Sequence, residues 1–201
     1  WLHCTSNPLW SYFFPHEKRG TDAMNAIGIL PNFTGTLVHD HWKPYYTYSC
    51  LHALCNSHHI RELEYAAVED KQAWAANMQK LLLEINDAIK TAENGVLTKN
   101  LRTRYGKKYD RIIADGELEC PLPEIPIVED KKKQGRVKKS KSRNLLERLR
   151  DYKEDTLRFM NDPFVPFTNN AGENDLRMTK VQQKVSGCFR SMEGAKIFCR
   201  I

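Results

Sequence analysis

Nothing in these 201 residues amounts to a membrane span, because no apolar run approaches the ~18 residues needed to cross a bilayer. A secretory leader is not expected either: the chain opens Trp-Leu-His-Cys, with neither a basic start nor an apolar stretch behind it. It lacks an initiator Met and stops within the amphipathic run Lys196-Ile-Phe-Cys-Arg-Ile, so it is expected to be an excised piece of a longer protein. Cysteines are few and scattered (Cys4, Cys50, Cys55, Cys120, Cys188, Cys199), which excludes a small disulfide scaffold and points to reduced thiols. No internal repeat is visible. Acid is absent from residues 131–143, where eight of thirteen side chains are cationic. Such a run cannot pack and is expected to be a mobile arm able to neutralise phosphates through Lys131, Lys132, Lys133 and Arg136.

What is present describes a globular chain, with 41% hydrophobic and 28% charged residues. Its length suits one domain, or one domain with an insert. The net charge of +6 favours a nucleic-acid partner, though weakly, since the excess is uneven.

Periodicity sketches the elements. Residues 1–6 and 9–14, split by Asn7-Pro8, read as a two-stranded hairpin. Ala23, Met24 and Ile27 mark a short helix closed by Gly28. Thr36-Leu37-Val38-His39 reads as a strand ending at Asp40, and residues 45–55 as another, with Leu51, Ala53 and Leu54 buried. From residue 60 to 92, Trp74, Met78, Leu81, Ile85 and Ala88 form one apolar stripe on a long helix, or two in succession, closed by Asn94-Gly95. A further helix from Leu101 is expected to end at Gly116. Residues 144–161 return to helix, with a stripe able to pair with that of Trp74 to Ile85.

Two places could carry chemistry. Asp40 sits at the tip of a strand, where open α/β sheets hold ligands; the alternative is a cap for the turn starting at His41. In 167–190, Thr168, Asn169 and Asn170 are helix-capping types, and a helix from Ala171 would align Glu173, Arg177, Lys180 and Lys184 at offsets of four, seven and eleven. Leu176, Val181 and Val185 would then face a core. One carboxylate followed by a row of cations suits a metal ion beside a phosphate chain, while a plain surface helix is the alternative.

The pattern Asn169-Asn170-x-x-Glu173-x-x-x-Arg177, followed by Lys184-Val-Ser-Gly187-Cys-Phe-Arg190 and Gly194-Ala195, resembles the C-terminal signature of insertion-sequence transposases of the sixty-six type. Leu37-Val-His-Asp40-His-Trp and Cys55-Asn-Ser-His58-His59-Ile-Arg61-Glu62-Leu resemble two further blocks of that family, in the same order. The resemblance implies an α/β fold: a ribonuclease H-like mixed sheet with a mainly helical insertion before the final catalytic helix. It implies strands in 1–59, a helical insert in 60–161 with a basic linker at about 117–142, and the catalytic-Glu helix in 162–201. It further implies a DDE-type polynucleotidyl transferase that uses two Mg²⁺ or Mn²⁺ ions on double-stranded DNA in the bacterial cytoplasm, at the nucleoid. Asp40 and Glu173 would be the second and third acidic residues of the triad. Arg177, Lys180, Lys184 and Arg190 would meet phosphates, a role read from charge and spacing.

No residue matches the family's first Asp, which precedes the Trp-Leu-His-Cys strand. Thr168 stands where the family has Asp, and Asn174 where it commonly has Arg. The 201-residue chain is therefore expected not to cut DNA, and a non-catalytic DNA-binding or assembly module on the same fold is the alternative. An open sheet edge would invite pairing with a second copy. Cys50, His52, Cys55, His58 and His59 invite a zinc reading, but Cys-x4-Cys-x2-His-His does not match structural zinc spacing. In the family this block is a strand-to-helix junction, which leaves His58, His59 and Arg61, with Asn169 and Asn170, as residues adjacent to the site.

Overall fold

The computed structural model describes residues 1–123 and 137–200 and is α/β. Contacts divide it into two units, Trp1–His52 with Thr168–Ile201, and Ala53–Phe167. The Lys131, Lys132, Lys133 and Arg136 arm lies outside the described residues.

The first unit begins with an antiparallel hairpin, β1 (Leu2–Ser6) against β2 (Ser11–Pro15), in the register Leu2 to Pro15 and Ser6 to Ser11. Asn7 makes the turn: its side-chain oxygen accepts from the Leu9 and Trp10 N–H groups at 2.8 and 3.0 Å. Helix α1 (Thr21–Ile27) ends on Gly28, whose φ of 77° is the left-handed conformation that lets its N–H close the last turn. Strand β3 (Thr36–His39) pairs with β4 (Leu51–Leu54) in a second two-stranded sheet, joined by a 3-10 turn over Lys43–Thr47. Leu51 is a correction: at 53% exposed it lies outside the core that Ala53 and Leu54 enter.

Helix α8 (Asn170–Asp175) packs on β1. Ser11 Oγ donates to Asp175 at 2.6 Å, and a Cβ added to Gly172 would stand 3.4 Å from Ser6 Oγ. Burial and that same Asp175 push the Cys4 thiol up to about 11, so it stays protonated. Helices α9 (Arg177–Ser186) and α10 (Met192–Phe198) follow, α10 against β2.

In the second unit α2 (Asn56–Val68), α3 (Ala73–Thr91) and α4 (Lys99–Glu119) pack in succession, as their apolar stripes require. α5 (Lys141–Asp151) lies on α2 and α4, and α6 (Lys153–Thr156) and α7 (Arg158–Asn161) complete a segment expected as one helix. Its stripe therefore meets α2 and α4 rather than running along Trp74 to Ile85; α7 is the part that reaches α3. Leu63, Trp74, Met78, Leu81, Leu82, Ile85, Leu146 and Leu149 are fully buried. The Tyr109 hydroxyl, equally buried, donates to the Leu149 carbonyl at 2.8 Å, which answers the cost of burying it. Glu119 caps α3, its carboxylate accepting from the Ala73 and Trp74 N–H groups at the positive end of the helix dipole.

Gly116 does not end α4; the helix runs three residues beyond it. A Cβ there would stand 2.7 Å from Leu146 Cδ1 and 3.0 Å from Trp74 Cγ, so at this glycine the backbone of α4 lies directly against both side chains. Gly106, in the same helix, has nothing within 4 Å of that position. Two opposite effects follow. Gly116→Val should destabilise the helical unit by about 2 kcal/mol through overpacking, whereas Gly106→Ala should stabilise it by about 0.5–1 kcal/mol through helix propensity. Urea unfolding followed by far-ultraviolet circular dichroism reads both, and a harmless Gly116→Val would contradict the packing account.

Candidate active site

Asp40 leaves the tip of β3 exposed, and its position is fixed by the residue before it. His39 is buried, and its Nδ1 accepts from the His41 backbone N–H at 3.1 Å. The hydrogen of neutral His39 therefore sits on Nε2, which donates to His52 Nδ1 at 3.1 Å. His52 in turn carries its hydrogen on Nε2 and donates to the Tyr48 carbonyl at 3.2 Å. The rings of Tyr45 and Tyr46 close around His39 at centroid distances of 5.0 and 5.1 Å. This relay ties the end of β3 to the start of β4. His41 turns with a φ of 67°, and one Asp40 oxygen accepts from the Trp42 N–H at 3.2 Å. Asp40 thus serves the turn with one oxygen, and the other accepts no hydrogen bond from a described residue. Arg19 stacks 4.4 Å over the Trp42 ring, placing a cation on the same turn.

Glu173 is exposed on α8, whose docking on β1 has been described. Asn169 takes the N-cap position, without a capping side-chain bond, and Asn170 opens the helix. The helix expected to carry Glu173, Arg177, Lys180 and Lys184 on one face is two: Leu176 separates α8 from α9. Arg177, Lys180 and Lys184 remain together on α9, all exposed, and Arg190 is exposed beyond the turn at Gly187. The apolar side of α9 does not enter a core. Val181 and Val185 are 48% and 81% exposed and no residue of α9 is buried, because amphipathic spacing shows that a helix has two faces but not that both are used. Asp40 and Glu173 belong to the same unit. Among the described residues, Asp40 is not one of three metal-ligating side chains with donor atoms within 4.8 Å of one another.

The residues of the Cys55 block belong to the second unit and open α2. His59 is buried, its ring Nδ1 3.0 Å from Asn56 Oδ1, and the Asn56 amide donates to the Thr156 carbonyl at 3.1 Å. The Cys55 thiol and Ser57 hydroxyl are 3.0 Å apart, and Arg61 is exposed with its Nε on the Ser57 carbonyl at 3.2 Å. His58 is half-buried. All six cysteines are free thiols.

The sequence model of the Transposase IS66 family matches residues 1–197. The chain belongs to that family. No curated protein and no solved structure matches it. Among its described residues no helix is long and apolar enough to cross a membrane. For an IS66-family transposase the feature that motif reading missed is the His39–His52 relay. Its one signal in the sequence is a histidine beside the strand-tip Asp, on the opposite face of the strand.

Burial, and then the neighbouring His52, hold His39 down at about 4, against a smaller opposite pull from Asp40. A histidine with a depressed folded-state value is protonated more readily in the unfolded chain. Its contribution is intact above the unfolded value near 6.5 and is lost as pH falls from there towards 4. Urea unfolding in EDTA should lose about 2 kcal/mol from this group between roughly pH 7 and pH 5. His39→Gln should flatten that part of the profile, and an unchanged slope in the variant would refute the assignment.

Proposed function

We propose that this chain is catalytic-core sequence of a DDE-type DNA transposase with a ribonuclease H-like arrangement, in which Asp40 and Glu173 are two of the three metal-binding carboxylates. The observation that carries the reading is the family match across 1–197, which includes a β3 tip where Asp40 keeps a carboxylate oxygen uncommitted. On this reading residues 60–161 are a helical insert between the strands and the Glu173 helix.

The donor chemistry fits Mg²⁺ or Mn²⁺, since both residues offer hard carboxylate oxygens at exposed positions. Bound there, such ions would lower the pKa of an attacking water or DNA 3′-hydroxyl and neutralise charge at the leaving oxygen. The remaining work belongs to the chain. The His39 relay holds the β3 tip rigid, so that Asp40 meets its ligand without rearrangement. Arg177, Lys180, Lys184 and Arg190 grip the phosphates of double-stranded DNA, as mobile or bidentate cations do. The parent reaction is phosphodiester hydrolysis followed by strand transfer. A set of two carboxylates leaves the 201-residue polypeptide able to bind a cation and DNA without cleaving.

Calorimetric titration of Mn²⁺ into the 201-residue chain tests this. Asp40→Ala and Glu173→Ala should each weaken binding at least about 10-fold, a loss of some 1.4 kcal/mol. Binding that survives both substitutions would refute the assignment.

A further inference from the structure

Several cations of the helical unit are neutralised within it. Lys108, Lys139, Arg143, Arg148, Arg150 and Lys153 each face a carboxylate within the unit. Arg104, Lys107 and Arg111 of α4 do not: none makes an ion pair with a described residue. With Asn100 they stand at offsets of four, seven and eleven, which places all four on one exposed face of α4. Asn100, Thr103, Arg104 and Lys107 line a shallow groove of about 430 Å³. Two acids close to this stripe are engaged elsewhere. Asp110 gives both oxygens to Lys153, at 2.7 and 2.8 Å, and Glu84 takes Lys108 at 2.6 Å. Asp115, four residues past Arg111, bounds the stripe at its C-terminal end.

We propose that this stripe binds the phosphate backbone of duplex DNA, giving the helical unit a DNA contact of its own, separate from those assigned to α9. The inference rests on the transposase reading, which supplies a DNA partner. Its own support is that three cations with no ion pair to a described residue share one exposed face of α4. From Arg104 to Arg111 the helix rises about 10 Å, comparable to the axial rise of about three base pairs of duplex at roughly 3.4 Å each. Guanidinium and ammonium groups flanked by the Asn100 amide form a hydrogen-bond donor surface suited to phosphate oxygens.

The full 201-residue chain should be titrated into a fluorescein-labelled duplex, with anisotropy read between about 50 and about 200 mM salt. Arg104→Gln/Lys107→Gln should reduce the slope of log affinity against log salt by roughly 2, from two lost phosphate contacts. Lys71→Gln/Lys80→Gln removes the same charge from α3 and the turn before it and should leave the slope close to that of the parent. The charge-preserving Arg104→Lys/Lys107→Arg should restore it, which separates lost contacts from lost folding. An α4 variant with the parent's slope, or a drop matched by the Lys71/Lys80 variant, would overturn the stripe while leaving the transposase reading intact. Failure of the parent chain to bind any duplex would overturn both.

Discussion

A short chain of hydrogen bonds, from the His41 N–H through the rings of His39 and His52 to the Tyr48 carbonyl, is the constraint on which the Asp40 side of the site depends. Each acceptor in it fixes the tautomer of the next ring, so the relay has one orientation and one protonation state. A strand of four residues cannot hold its own tip still. The buried His39 ring and the half-buried His52 ring do so, and the Asp40 carboxylate is presented just before the left-handed His41. Burying His39 is costly unless its ring is satisfied, and here the His41 N–H and His52 satisfy both of its nitrogens.

Glu173 depends on a different device. α8 is only six residues long and has no buried side chain of its own, so its place comes from the hairpin it lies on. Gly172 brings the backbone close to Ser6, and the Ser11 hydroxyl holds Asp175. The two carboxylates thus reach the same unit by unrelated routes, one through a buried polar relay and one through close backbone packing. In the Ala53–Phe167 unit the organising force is burial of large apolar side chains, with Tyr109 and Glu119 supplying the polar closures.

Much of this was legible in the sequence because it rests on local rules. Asn7-Pro8 between aromatic runs gave the hairpin, Gly28 and Asn94-Gly95 stopped helices, and the Trp74 to Ile85 stripe marked a buried face. What escaped was non-local. Gly116 looks like a helix stop in one dimension and becomes a contact point only when Trp74 and Leu146 are brought to it. The break at Leu176 and the exposed valines of α9 defeat a rule that counts offsets without knowing what the helix touches. Leu51 fails for the same reason: strand alternation does not say whether both faces are covered. Of the proposed site, the two acidic positions were read from motif blocks, whereas the histidine relay beside Asp40 was not read at all.

The central proposal is that Asp40 and Glu173 bind divalent cations at one site. Iron-directed cleavage tests it most directly: Fe²⁺ bound in place of Mg²⁺, with ascorbate and peroxide, cuts the backbone beside its ligands. The account predicts two cuts, one near Asp40 and one near Glu173, that appear together and are suppressed together by excess Mg²⁺. Cuts confined to one of these segments, or falling elsewhere in the chain, would contradict it.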